Sequence, residues 1–218
     1  MVLYEITYLF ICNNLEIELN SLFDEFILIK RNNIGFDFGG WSEGLLQNNR
    51  YHHYDYFMFL NSSSIGPFSY HDTWPYEFIK YLKNNNIKLV GPTINANHKW
   101  DKLEMNKNPP GYNHVQSYVF CMNKSTLEYL IDCNIFSLTK YPMTHREAEK
   151  KYEILMSRYI IQNKGNIGCL HTYYQGYNFQ QNNEEKKLLG DIMFNGYNNK
   201  LWSKEELIFI KGNRIHLD

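Results

Sequence analysis

The chain has 218 residues, with 22 Lys and Arg against 23 Asp and Glu, so its formal net charge is −1. That length suits one domain with a full core, because a chain of this size buries roughly 70% of its unfolded surface. The charge balance excludes a general attraction to nucleic acid or to an anionic membrane, and the apolar run at residues 6–12 is too short to span a bilayer. Aromatic residues make up 17% of the chain, with 18 Tyr and 4 Trp; such rings pack cores, and they also stack on pyranose faces and nucleobases. Cys12, Cys121, Cys133 and Cys169 stand far apart and mostly inside apolar runs, as free thiols in a reducing compartment do, rather than in the paired spacing of a disulfide frame or zinc site. With no basic leader or small-residue cleavage site at the amino end, the expected location is cytoplasmic. Asparagine crowds the loops and is given no function.

In chain order, residues 4–12 read as a strand, 15–24 as a short helix or loop, and 26–30 as a second strand. Residues 41–49 look helical, and 56–60 form a short unbroken apolar strand. Residues 75–84 fit a helix with Phe78, Ile79 and Leu82 on one face, and 88–90 a strand closed by Gly91-Pro92. The stretch 95–112 is irregular, broken by Pro109-Pro110-Gly111, and has the length of a lid or binding loop. A strand at 115–122 and a helix at 125–132 follow. Thr144-His145-Arg146-Glu147 has the spacing of a capping box, after which Ala148, Tyr152, Leu155, Met156 and Tyr159 recur at helical intervals up to Gly165. Residues 167–170 make a strand, 194–197 a turn and 207–211 a last strand. Strands and helices alternate, which predicts an α/β domain spanning 1–218 with a mostly parallel, open, Rossmann-like sheet flanked by helices.

The strand at 56–60 stops abruptly at Asn61-Ser62-Ser63, and in open α/β sheets ligands sit beyond such carboxyl ends. Just upstream, the glycines from Gly35 to Gly40 allow backbone amides to approach an anion, and Arg31 and Asn33 add donors beside them. Asp37 lies between glycines in an apolar setting, where burial without a partner costs several kcal/mol; a turn hydrogen bond is its structural alternative. Together these segments predict one polar mouth for an anionic ligand.

The blocks Arg31-x-Asn33-x-Gly35-Phe36-Asp37-Phe38-Gly39-Gly40-Trp41, Tyr54-Asp55-Tyr56 and Asn61-Ser62-Ser63-x-x-Gly66-Pro67-Phe68 resemble glycosyltransferases of the rhamnan-synthesis type and their relatives in large DNA viruses, fungi and algae. Later blocks agree in the same order: Lys88-Leu89-Val90-Gly91-x-Thr93-Ile94-Asn95, His114-Val115-Gln116-Ser117-Tyr118, Tyr152-Glu153 with Ser157-Arg158, and Ile208-Phe209-Ile210-Lys211-x-Asn213-Arg214. The resemblance implies a GT-A fold and inverting transfer of a sugar from a nucleoside-diphosphate donor to a hydroxyl of a glycan or glycoprotein. The acidic metal motif of many such enzymes falls at Asn61-Ser62-Ser63, which contains no carboxylate. Asp37 is the alternative ligand for Mg2+ or Mn2+, with His171 as a second candidate. The segment before Arg31 is short for a nucleobase site, so either residues 4–12 are the first strand with a shortened return, or the first βα unit is missing.

Within that resemblance Glu153 is the general base, as a carboxylate at the mouth suits acceptor deprotonation; its rival reading is a solvated helix face, while Glu147 serves as a cap. Arg31, Asn33, Gly35, Asp37, Asn61, Ser62 and Ser63 bind the donor, and His114 and Gln116 meet the acceptor. Trp74 and Trp100 are candidate sugar-stacking rings, Trp41 is a core residue, and His52 and His53 lie at the surface. A non-catalytic carbohydrate- or nucleotide-sugar-binding module is the alternative, and a glycan hydrolase with two facing carboxylates is a second rival.

Overall fold

The computed structural model describes residues 5–16, 26–69, 72–83, 86–96, 113–181, 187–193 and 202–212. Most of 15–24 and of 95–112, Trp100, the 194–197 turn, and Asn213 and Arg214 lie outside them.

The first strands, β1 (Tyr8–Cys12) and β2 (Phe26–Lys30), pair in parallel. They lead to helix α1 (Phe36–Leu46), a short 3-10 stretch, β3 (Tyr56–Leu60) and β4 (Ser64–Ile65). Helix α2 (Trp74–Leu82) buries the predicted face of Phe78, Ile79 and Leu82. Then come β5 (Ile87–Gly91), β6 (Ile94–Asn95), β7 (His114–Val115), β8 (Val119–Asn123) and α3 (Lys124–Asp132). One interrupted helix follows, as α4 (His145–Ala148), a π-helical turn over Glu149–Ile154, and α5 (Leu155–Gln162). The chain continues through β9 (Asn166–Cys169), α6 (Lys204–Leu207) and β10 (Ile210–Lys211).

The main sheet has the order β3-β8-β5-β9. β8 is antiparallel to both β3 and β5, and only β5–β9 pair in parallel. The sheet is therefore mixed, which corrects the expectation of a mostly parallel Rossmann-like sheet. The reason lies in the connection from β5 to β8. Its described part carries no helical crossover; β6 and β7 pair antiparallel instead, so the chain comes back reversed. Even so, β3, β5 and β9 point the same way, and their carboxyl ends Leu60, Gly91 and Cys169 share an edge with the amino end of β8.

Trp41 on α1 sits edge-on to Phe59 at 5.5 Å and Phe120 at 5.2 Å, and Phe59 stacks on Phe120 at 4.5 Å and on Phe136 at 5.4 Å. This aromatic layer seats α1 on the sheet and confirms Trp41 as core. All four cysteines are free thiols, as their spacing predicts. His52 and His53 are exposed. Among the described residues, no helix is long and apolar enough to cross a membrane.

The predicted helix at 41–49 begins earlier, at Phe36, so most of the supposed glycine loop is the first turn and a half of α1. Gly35 precedes it with φ +77°, and a Cβ there would meet the Tyr141 Cβ at 2.6 Å. Gly39 is needed for a different reason: an added Cβ would lie 2.1 Å from the Ile34 carbonyl oxygen. We expect Gly39→Ala to cost about 2 kcal/mol or more, because backbone rather than a pliant side chain must give way. Urea unfolding will check this, and a variant as stable as the wild type would refute the close approach.

Candidate functional site

Arg31 follows β2 and is buried. Its Nε donates to Glu43 Oε2 at 2.7 Å, Nη1 to Asn13 Oδ1 at 2.6 Å and Nη2 to the Ile34 carbonyl at 2.7 Å. The guanidinium thus ties the end of β1, the Ile34 turn and α1 together, and two of its five N–H donors remain. Asn33 is exposed beside it.

From the first turn of α1, Asp37 accepts a hydrogen bond from Asn61 Nδ2 at 3.0 Å. Asn61 stands directly beyond β3, and its own Oδ1 accepts from the Ser63 amide at 3.0 Å and the Ser63 hydroxyl at 2.6 Å. Ser64 Oγ donates to the Asn61 carbonyl at 2.6 Å, while Ser62 is exposed. One bond therefore joins the glycine-rich segment to the serine turn.

A second polar cluster forms at the break between β7 and β8. The sequence reads 115–122 as continuous strand, but residues 116–118 turn between two strands. There the Ser117 amide donates to Glu153 Oε2 at 2.9 Å, the Ser117 hydroxyl donates to the same oxygen, and His114 Nε2 lies 3.3 Å from Glu153 Oε1. Glu153 projects from the π-helical turn, an insertion that often marks functional positions. The Val115 amide donates to Ser157 Oγ at 3.0 Å, fixing β7 against this helix. Upstream, the Thr144 side chain caps the Glu147 amide and Glu147 accepts from the Met143 amide at 2.8 Å, so Glu147 is the cap that the spacing predicts. Gln116 is engaged at both ends of its amide, accepting from Thr93 Oγ1 and donating to Asp191 Oδ2, each at 3.1 Å.

The acidic groups differ in their proton affinity. Burial pushes Asp37 above the ordinary carboxylate value; Asn61, His145 and Lys211 pull it back, and the Glu153 charge adds to the rise. Burial also pushes Glu153 up, but the His114 contact, the Ser117 bonds and Lys211 outweigh it and bring the carboxyl down to about 2. Glu149 is raised by burial and by its neighbour Glu153. One carboxyl in this cleft is thus held ionised while others are made more basic.

The two candidate metal ligands stand near different strand ends, Asp37 by the Asn61 turn beyond β3 and His171 beyond β9. His171 follows β9, its ring stacked near Tyr173 at 6.2 Å, and β9 is separated from β3 by β8 and β5. Three strand spacings amount to roughly 14 Å. Among the described residues no three His, Cys, Asp or Glu are arranged to hold a metal ion, and the Asp37 Oδ2 is already taken by an amide donor. Asp37 is thus the one candidate carboxylate beside the Asn61 turn, and a divalent ion held there would rest on it together with waters and the donor's phosphates.

Sequence reasoning missed Ser117, Glu149, His145 and Lys211 as site residues. Ser117 and Lys211 stood within the quoted blocks His114 to Tyr118 and Ile208 to Arg214, so a signal existed. His145 stood only in the capping block, and Glu149 was given no role. Trp74 is half-buried and packs edge-on to Phe209 at 4.9 Å.

The sequence model of the family described as Rhamnan synthesis protein F matches residues 9–210, nearly the whole chain. No curated protein and no solved structure matches it.

Proposed function

The chain belongs to the rhamnan synthesis protein F family, a glycosyltransferase-related family, and from that premise we propose that it moves a sugar from a nucleoside-diphosphate donor to a hydroxyl of a glycan or glycoprotein, inverting the anomeric carbon, on a GT-A-like fold. The observation that carries the proposal is the Asn61–Asp37 hydrogen bond, which makes one mouth of the two segments expected to grip the donor. Donor contacts fall to Asn61, Ser62, Ser63, Asn33, the amides that open α1 after Gly35, and the two spare donors of Arg31. His114 and Gln116 line the acceptor side.

The base is Asp37 in this proposal, not Glu153. A general base works best with a proton affinity near the working pH. Glu153, down at about 2 and with both oxygens engaged, is a poor proton acceptor. Asp37 is raised and half-buried at the mouth. In the transfer, the acceptor oxygen forms a bond to the anomeric carbon while its proton passes to Asp37. The bond from that carbon to the donor oxygen breaks, and its electron pair leaves with the diphosphate. Glu153 meanwhile orients His114 and the Ser117 turn.

The test is to incubate the purified protein with a panel of nucleotide sugars and measure free nucleoside diphosphate, with and without glycan acceptors. A binding donor at a hundred times its dissociation constant should also add about 2.7 kcal/mol of stability. Stabilisation without nucleotide release would support the non-catalytic binding module. A glycan hydrolase is the second reading, favoured by one observation: Asp37 and Glu153 are pushed apart in proton affinity, as an acid and its partner carboxylate are. Glu153 has carboxylate neighbours, since its charge is felt by both Asp37 and Glu149. Sugar release from glycans with no nucleotide sugar present would select it.

A further inference from the structure

Residues 203–212 carry α6 and β10 alongside β4 and the serine turn, and the segment bends at Ile208 with φ 64° and ψ −41°. The Phe209 amide donates to the Leu207 carbonyl at 2.7 Å across this bend, giving the rare, strained form of the γ-turn, here at a β-branched residue. Such strain persists only where the surroundings over-determine it, and it collects at functional sites. The surroundings do so here. The Phe68 amide donates to the Ile208 carbonyl at 2.7 Å, the Gly212 amide donates to the Ser63 carbonyl at 2.7 Å, and Trp74 packs on Phe209.

The product of this bracing is the placement of Lys211. On β10 it pairs with Ser64, inside the turn that Asn61 organises. Ile210 is fully buried, so the alternation of the strand turns Lys211 to the other face, where it is half-buried. Its charge acts on Asp37, Glu149 and Glu153, yet it forms no ion pair with any carboxylate among the described residues. Arg31, by contrast, spends three donors on the fold.

We propose that Lys211 binds the donor's diphosphate and takes up the charge that develops on it, in the role a divalent metal ion would fill. This rests on the transferase reading. A cation held among acidic groups but committed to none offsets their repulsion of an incoming diphosphate and is free to bind it. Lys211 touches the leaving group only; the proton still passes to Asp37.

The probe is inorganic pyrophosphate, titrated calorimetrically in EDTA. The wild type should bind it, Lys211→Met should bind about tenfold to a hundredfold more weakly, and Lys211→Arg should recover most of the loss. Melting temperatures report folding, and Lys211→Gln replaces the Met variant if that does not fold. Undiminished pyrophosphate binding by the neutral variant, or wild-type binding only with added Mg2+ or Mn2+, overturns the assignment. Nucleotide-sugar turnover by the wild type, measured on the same preparation, judges the transferase reading separately: turnover together with undiminished pyrophosphate binding in the variant sinks Lys211 alone.

Discussion

Changing Asp37 to Asn is expected to lower sugar transfer at least about a hundredfold and, at pH 7, to make the protein more stable. The two effects share a cause. Burial and the neighbouring Glu153 charge raise the Asp37 carboxyl above its ordinary value, so the folded state holds that proton more tightly than the unfolded chain does. Its contribution to stability is fully present below the ordinary aspartate range and is lost as pH rises through the folded value. At neutral pH the ionised side chain therefore works against folding. The positive end of α1 favours the anion by about 0.5 kcal/mol, which is small beside the several kcal/mol that desolvating a carboxylate costs. The introduced carboxamide would keep an oxygen for Asn61 Nδ2, so the Asn61 turn should survive the substitution. Melting curves from pH 3 to pH 8 should show the variant drawing ahead of the wild type as pH rises through the carboxylate range. A variant that melts below the wild type at pH 7 would remove the burial argument, and one that retains turnover would remove Asp37 as base.

Such a trade of stability for chemistry marks functional positions, and it explains which parts of this molecule the sequence reveals. Strand β3 was legible to the residue because a short apolar run ending in small polar residues has few other readings. The α2 face and the Thr144–Glu147 cap were legible because their signals are local and periodic. Helix α1 was not, because its glycines contradict helix propensity; Gly39 and Gly44 are there because the Ile34 carbonyl and the Ile11 and Leu9 side chains come too close for a Cβ. The reason lies across the fold, not along the chain. The direction of β8 was hidden similarly, since alternating strands and helices say nothing of a return made without a crossover.

Asp37, Asn61, Ser63 and Glu153 were named from sequence; hydrogen bonds join the first three, and the Glu153 charge reaches Asp37. Their roles were less legible. Arg31 was read as a ligand cation beside the glycines, but its partners stand 18, 12 and 3 residues away at Asn13, Glu43 and Ile34, and no spacing rule links that set. Glu153 was read as a base from the family resemblance; its bonds to Ser117 and His114 come from a strand break that the apolar pattern of 115–122 conceals. His171 stands past a strand end, as expected, but the strand order sets that end three strands from the β3 end where Asn61 holds Asp37. A sequence can nominate an edge of a sheet, but only the strand order says which ends of that edge are neighbours.

The Glu153 pairing carries a large expected effect of the opposite sign. Glu153→Gln should destabilise the protein by about 3 kcal/mol at pH 7, the equivalent of lowering a carboxyl from its ordinary 4.5 to about 2. Here the folded state holds the proton less tightly than the unfolded chain. The stability is fully present above pH 4.5 and is lost as pH falls toward 2. Glutamine can still accept from the Ser117 amide, but the charge that faces His114 and Lys211 is gone. Two carboxyls then feel the change: Asp37 and Glu149 lose a repulsive neighbour and should become more acidic. Urea unfolding at pH 7 and along an acid series tests both points, and equal stability of variant and wild type at pH 7 would mean that the pair adds nothing. The activity of the same variant then separates base from brace. With Asp37 as base, Glu153→Gln keeps measurable turnover, its pH profile displaced toward acid because Asp37 has been relieved of a negative neighbour; if instead turnover vanishes in Glu153→Gln and survives in Asp37→Asn, the proton goes to Glu153 and the low affinity of that carboxyl must be lifted when the acceptor binds.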